Sequence, residues 1–321
     1  MIVKERKPPI TLLKLEALLR RLPKEHSMRS TIESDFMKIK SGYVGEKKVD
    51  YYLNFLPKKE YSIFHNIRLK SEDHFFQIDT LIITSKYILL LEIKNMLGNL
   101  MFDRDFHQFI RVLGQNEENF PNPILQVNRH QKELISFLSR HKLDIPPIYS
   151  FIIISNTSSV IKTTLRTSKV LENVFHTEHL PLKIQMLNEI KTNQIVSTNQ
   201  KRKITKAILK NHTPLISNVL EKYNINKNDI IKGVFCPNCI TRIMKRAHGS
   251  WYCECSHKSK VAHVQAIYDY GYLIGQSISN CECRDFLQLS SSSSASYLLK
   301  SLNLTQIGFN KSTKYLFQFD D

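Results

Sequence analysis

Between Phe75 and Asn95 the chain reads FFQIDTLIITSKYILLLEIKN, two strongly apolar runs whose only acidic side chains are Asp79 and Glu92. Phe76 to Ile83 and Tyr87 to Ile93 are rich in β-branched and aromatic residues, and both predict strands. A two-residue turn at Ser85 and Lys86 pairs Thr84 with Tyr87. Counting back along both strands then sets Asp79 opposite Glu92. This register is an expectation to be checked, because Ser-Lys is not a pair that primed hairpin turns favour. Side chains alternate along a strand, so Glu92 and Lys94 share a face with Asp79 while Ile93 points the other way.

Two carboxylates placed this way repel each other, and a bound divalent cation would relieve the repulsion. Hard oxygen ligands suit Mg²⁺ or Mn²⁺. A lysine on the same face can steady the developing charge of a phosphoryl transition state or position the attacking water. The competing reading is a buried strand that ends in solvated charge, with Asp79 and Lys94 as an ordinary ion pair.

Asp79 followed by Glu92-Ile93-Lys94 resembles the D…(E)xK core of the PD-(D/E)XK nucleases, and the wording around it is that of the nuclease-related domain, NERD. Gly42-Tyr43-Val44-Gly45-Glu46 resembles the family's G-x-x-G-E helix, and Gln77-Ile78-Asp79 its Q-I-D strand. Glu92 to Gly98 resembles its E-x-K-N…G segment, and Asn122-Pro123-Ile124-Leu125-Gln126 its N-P-x-x-Q helix start. The resemblance covers about the first half of the chain. It implies an α/β, restriction-endonuclease-like mixed sheet flanked by helices and metal-dependent cleavage of a phosphodiester. It also implies the site set Glu46, Asp79, Glu92, Lys94 and Gln126, with Asp79 and Glu92 on Mg²⁺ or Mn²⁺. Without it, Glu46 beside Lys47 and Lys48 reads as a solvated residue.

The chain has 321 residues, 46 Lys and Arg against 29 Asp and Glu, and a formal net charge of +17. That balance attracts polyanions, nucleic acid above all, with salt-sensitive affinity. No run reaches the length of a membrane-spanning helix, and Met1 to Lys7 leads into Pro8-Pro9 without the apolar region of a signal peptide, so the expected location is the cytoplasm.

Ile10 to Leu22 carries Leu12, Leu15, Leu18, Leu19 and Leu22 at helical spacing. A second helix is predicted from Ser34 to Leu56, broken or bent near Gly42 and Gly45, with Val49, Tyr52, Leu53 and Leu56 buried. Tyr61 to Leu69 predicts the first strand. Asn122 to His141 predicts a helix with one polar side, where Gln126 and Arg129, one turn apart, can both reach a phosphate or a water. Ile148 to Ser155 predicts a buried strand beside Glu92. Leu182 to Ile190 and Arg202 to Leu209 carry helical patterns in a basic connector, with hinges expected at Asn211 to Pro214 and Asn224 to Asp229.

Four of the six cysteines form Cys236-Pro237-Asn238-Cys239 and Cys253-Glu254-Cys255. Without a secretory signal, paired clusters read as a zinc site. C-x-x-C is a standard knuckle spacing, whereas C-x-C is one residue short, which leaves His257 as a reserve fourth ligand. Cys281 and Cys283 are expected to be separate thiols.

Ser279 with Glu282 is a capping-box pattern opening a short helix to Leu287. After a serine tract, Ala295, Leu298, Leu299 and Leu302 form an apolar helical stripe, and a β-rich end follows. The arrangement resembles a winged helix-turn-helix, in which Ser293, Ser294, Tyr297 and Lys300 face a nucleic-acid groove and Lys311 and Lys314 touch phosphates. A zinc ribbon with such a module also recurs in bacterial chains similar to NERD proteins. The expected organisation is therefore a helical segment at 1–36, a nuclease-like domain at 37–157, a connector at 158–232, a zinc ribbon at 233–262 and a winged-helix module at 263–321. Double-stranded DNA is the expected partner. A non-catalytic nucleic-acid-binding scaffold is the alternative, and RNA remains open as a substrate.

Overall fold

In a computed structural model, residues 1–103, 105–164, 172–190 and 195–319 are described, without the side chain of Lys311. The chain divides into two units, each assembled from separate stretches of sequence. One comprises Met1–Lys7 and Lys40–Leu215, the other Pro8–Ile39 and Ile216–Asp321. The chain opens with β1 (Ile2–Lys4), α1 (Ile10–Arg21) and α2 (Arg29–Leu53). Residues 1–36, expected as a helical segment, therefore begin with a strand.

The first unit is built on a six-stranded mixed sheet. After β1 and the C-terminal part of α2 come β2 (Ser62–Lys70), β3 (Phe75–Ile83) and β4 (Ile88–Lys94), then β5 (Asn99–Phe102), β6 (Phe109–Leu113) and β7 (Asn116–Phe120). α3 (Pro123–Arg140), β8 (Ile148–Ile154), β9 (Val160–Thr163), β10 (Val174–His176), α4 (Leu180–Ile190) and α5 (Thr198–Asn211) complete it. The sheet order is β1-β2-β3-β4-β8-β10, with β2, β3 and β4 antiparallel and β1, β8 and β10 joining in parallel. One face packs Val49 and Leu53 of α2 and Leu180 and Ile184 of α4 against Leu89, Leu91 and Ile93. The other packs Leu134, Phe137 and Leu138 of α3 and Ile204 and Ile208 of α5 against Ile88 and Leu90. A sheet covered on both faces explains why β4 and β8 read as almost continuous apolar runs. The smaller sheet β7-β6-β5-β9 was not anticipated from the sequence.

Pairing of β3 with β4 follows the expected register. Thr80 pairs with Leu91 and Ile83 with Ile88, and the Thr84 N–H bonds to the Tyr87 carbonyl at 3.0 Å. Strict alternation does not hold along β3, however. Asn66 on β2 takes a left-handed backbone, φ 50°, between His65, paired with Thr80, and Ile67, paired with Ile78. Across this point the alternation changes phase, so that Phe76 and Ile78 face the same core as Leu81 and Ile83. Asn tolerates this conformation better than most residues. Asp79 sits at the break.

α2 is also a correction: it is helical without interruption from Arg29 to Leu53, with no break at its glycines. Gly45 serves a close approach instead. A Cβ there would meet Asn95 Cβ at 2.4 Å and Ser155 Oγ at 2.5 Å, so only glycine lets the helix pass the ends of β4 and β8.

The second unit begins with α1, whose Leu12, Leu15 and Leu18 are buried as the spacing predicts, and the N-terminal part of α2. α6 (Val219–Lys222) is followed by β11 (Val234–Phe235), β12 (Ile243–Ala247), β13 (Ser250–Tyr252) and β14 (Lys258–Ser259), a small four-stranded antiparallel sheet. His248 (φ 46°) and Gly249 (φ 75°) form the tight turn between β12 and β13. Next come α7 (Ala262–Leu273), β15 (Ser277–Ser279), α8 (Asn280–Leu287), α9 (Ser292–Lys300), β16 (Thr305–Ile307) and β17 (Lys314–Leu316), the three strands ordered β15-β17-β16. The capping box of α8 is present, and Ser291 caps α9 by accepting from the Ser294 N–H, so the serine tract starts a helix. The unit boundary at Leu215 adjoins the first expected hinge, whereas Asn224 to Asp229 lies inside the second unit.

Candidate active site and thiol centre

Asp79, at the phase break of β3, directs one carboxylate oxygen at the backbone of β4: Oδ2 accepts from the Ile93 N–H at 2.9 Å. Glu92 is buried, 3% exposed, on a strand whose other residues, apart from Lys94, are aliphatic. Its Oε1 lies 2.7 Å from Lys94 Nζ, and the same ammonium donates to Gln126 Oε1 at 3.0 Å. Lys94 is thus held between the strand's own Glu92 and the first turn of α3. It is not the partner of Asp79 that the simpler reading supposed.

α3 starts where it does because Asn122 caps it, accepting from the Ile124 N–H at 2.9 Å, with Pro123 at the first helical position. That start sets the polar side of the helix. Gln126 and Arg129 line a cleft of about 550 Å³ with Asp79, Gln77, His130 and Glu133. Asn128 and Gln131 line a different cleft. At the far end of the first, His74 Nε2 and Glu133 Oε1 are 2.6 Å apart.

Glu46 approaches from α2, one turn before Asp50, and Arg6 reaches both. The Arg6 side chain is 2% exposed; it ion-pairs with Glu46 through Nη1 and with Asp50 Oδ2 at 2.8 Å. It also donates to Asn66 Oδ1 at 3.1 Å, to Thr80 Oγ1 at 2.8 Å and to the backbone carbonyl of Asp79 at 3.2 Å. Arg6 therefore ties α2 to the phase break in β2 and β3. Sequence reasoning missed it. The only signal was Ile2-Val3 ahead of a charged run, too short to declare a strand. Arg6 arrives because β1 pairs in parallel with β2.

Burial, and next the charge of Asp79, push the Glu92 carboxyl up to about 8, with Lys94 opposing. The same two causes push Glu46 up to about 7, with Arg6 opposing. Four carboxylates, Glu46, Asp50, Asp79 and Glu92, thus share a part-buried region with two cations. This is the electrostatic pattern that a further cation would stabilise.

The second centre is made of sulfur. Cys236 and Cys255 Sγ are 3.6 Å apart, Cys239 and Cys253 Sγ 3.7 Å, and all four lie within 4.8 Å of one another. A disulfide needs about 2.05 Å. A tetrahedron of zinc–sulfur bonds of about 2.3 Å has edges of about 3.8 Å, close to what is seen. C-x-C reaches the centre because Ser256 turns left-handed, φ 66°, and its N–H bonds to the Cys253 carbonyl at 3.0 Å. His257, the reserve ligand, contributes its backbone: its N–H, with the neighbouring thiols, pulls Cys255 down to about 6. Among the described residues these cysteines are the only set of three or more His, Cys, Asp or Glu side chains that converge as ligands. Cys281 is exposed and Cys283 buried, apart from the centre.

Of the residues expected to touch nucleic acid in the second unit, Tyr297 is 68% exposed on α9, and Lys300 and Lys314 are exposed. The side chain of Lys311 lies outside the described residues. Among the described residues no helix is long and apolar enough to cross a membrane.

Residues 41–155 match the family model of the nuclease-related domain, NERD. The match contains Glu46, Asp79, Glu92, Lys94 and Gln126, and excludes Arg6. No curated protein and no solved structure matches the chain.

Proposed function

From a chain that contains a nuclease-related domain at residues 41–155, we infer a metal-dependent nuclease that hydrolyses phosphodiester bonds in DNA. One observation carries this reading: Asp79 and Glu92 lie just past the end of the β3–β4 ladder, close enough for the charge of Asp79 to act on Glu92, with Lys94 fixed between Glu92 and Gln126. The donors suit a hard divalent cation, Mg²⁺ or Mn²⁺, held by Asp79, Glu92 and the Ile93 carbonyl. Bound there, such an ion supplies positive charge to a phosphoryl oxygen and lowers the pKa of a water.

The chain's own groups do the rest. Lys94, oriented from two sides, faces the reacting phosphate and steadies the charge that develops on it. Gln126 keeps that ammonium in place and is positioned to orient the attacking water. Arg129 lines the cleft with Asp79 and anchors a neighbouring phosphate. Glu46, engaged by Arg6, acts by positioning the strands around Asp79. In the second unit, four thiolates hold structural Zn²⁺, and a winged-helix module of α7, α8, α9 and the β16–β17 hairpin binds the duplex through residues that include Tyr297, Lys300, Lys311 and Lys314. A cytoplasmic location agrees with reduced thiols.

The test is cleavage of plasmid and short linear DNA with Mg²⁺, with Mn²⁺ and with chelator. Cleavage that needs metal and disappears in Asp79→Ala and Lys94→Ala is expected. Cleavage retained in Asp79→Ala refutes the assignment. A second reading, a binding protein on a nuclease scaffold, is favoured by one observation: Arg6 engages both Glu46 and Asp50, and among the described residues no third carboxylate converges with Asp79 and Glu92 as a ligand.

A further inference from the structure

A cleft of about 770 Å³ opens in the second unit between α8, α9 and the β16–β17 hairpin. Ser292, Ser296 and Lys300, spaced four residues apart, form one stripe of α9 along it. Asn280 and Arg284, one turn apart on α8, form the opposite wall. No aspartate or glutamate lines it.

Asn280 organises the walls. Its Nδ2 donates to the Ser292 carbonyl and to Ser296 Oγ, both at 2.8 Å. Its Oδ1 accepts from Ser292 Oγ at 3.1 Å and from Arg284 Nε at 3.2 Å. Arg284 is thereby held through one nitrogen, with the rest of its guanidinium fork left for a ligand. The two carboxylates of α8 are committed elsewhere: Glu282 accepts from the Ser279 N–H and Oγ at 2.8 and 2.6 Å, and Asp285 pairs with Lys232 at 2.8 Å. Among the described residues, neither Arg284 nor Lys300 meets a carboxylate.

We propose that this cleft is a phosphate site that seats the sugar–phosphate backbone of double-stranded DNA. Two cations without counter-charge, backed by hydroxyl and amide donors, match a phosphodiester. The proposal rests on the nucleic-acid reading above and refines it. Tyr297, Ser293, Ser294 and Lys314 do not line the cleft, so backbone contact falls to Arg284 and Lys300 instead of the outer face of α9. Lys300 alone is common to both expectations.

The test is fluorescence anisotropy of a labelled duplex with the full chain as purified, without added divalent cation, across about 50–200 mM salt. Each lost phosphate contact reduces the slope of log K against log salt by about 0.9. Arg284→Gln with Lys300→Gln is expected to reduce it by about two and to weaken binding at least tenfold near 0.1 M salt. Ser296→Leu keeps every charge but fills the cleft, and is expected to weaken binding with an unaltered melting profile. Lys203→Gln with Lys210→Gln, the same charge change on α5 of the other unit, controls for net charge.

A cleft variant that binds as wild type does, or loses no more than the α5 control, overturns the proposal. Displacement of the duplex by equimolar adenosine monophosphate overturns it too, by making the ligand a small phosphorylated molecule. A reduced slope in a chain that cleaves nothing retains the cleft and removes the nuclease. Intact cleavage with an unchanged slope does the reverse.

Discussion

The carboxylate site of the first unit and the thiol site of the second solve opposite problems. The four sulfurs already stand at tetrahedral spacing. Of the carboxylates, Glu46 and Glu92 are answered by cations of the chain, Arg6 and Lys94 respectively, and Asp79 borders a cleft. A centre made only of ligands holds a metal to fold around it. A centre whose charges are partly cancelled, and which opens to solvent, binds metal less tightly and leaves room for a substrate.

That contrast can be broken most forcefully at the sulfurs. Stoichiometric zinc is expected by elemental analysis, and its removal by chelator, or Cys236→Ser, should unfold the β11–β14 sheet. Structural zinc sites in small folds bind with about 10–16 kcal/mol, so the loss should appear as a separate low-temperature transition. A protein that melts identically without zinc would show the thiols to be bystanders.

Next in size is Arg6→Ala, which strands Glu46 and Asp50 beside Asp79. Removing one partner of a buried pair costs about 3–5 kcal/mol. Urea denaturation should show it, and Arg6→Lys should recover part, because an ammonium cannot span the same set of acceptors. Gly45→Ala should then cost about 1–3 kcal/mol, since the new Cβ meets backbone-anchored Asn95. Gly42→Ala, with nothing within 4 Å, should instead stabilise by about 0.5–1 kcal/mol. Equal effects at the two glycines would refute the close-approach account.

The smallest effect is in pH. Glu92 and Glu46, raised to about 8 and about 7 from an ordinary 4.5, bind more protons folded than unfolded through that window. Stability of the metal-free chain should therefore fall as pH rises from about 5 to 8, by about 1–3 kcal/mol. Asp79→Asn should flatten the slope by removing the neighbouring charge, and Mn²⁺ should flatten it in the wild type. A slope of the opposite sign would contradict the burial argument.

How much of this was legible depended on distance along the chain. The β3–β4 register that carries Asp79 toward Glu92 could be read because only a two-residue turn joins the strands. The C-x-x-C and C-x-C pairs were legible from spacing, as was the capping box at Ser279. Arg6 was not: its partners lie forty or more residues away, and only the pairing of a three-residue strand brings it in. Glycine's permissiveness suggested a bend in α2, but what Gly45 faces, Asn95 just past the end of β4, is a tertiary fact. The sheet of β5, β6, β7 and β9 escaped because its strands are short and partly polar, as in the NEENF of β7. Asn66 hid the phase change because its left-handed turn interrupts a run that reads as one strand.

The most direct measurement is Mn²⁺ binding to the zinc-loaded chain by isothermal titration calorimetry, in the wild type and in Asp79→Asn. Binding in the wild type that disappears in Asp79→Asn, while zinc content and melting of the second unit stay unchanged, is the expected result. Mn²⁺ binding of equal strength in both proteins, or in neither, would contradict a metal-dependent centre at Asp79 and Glu92.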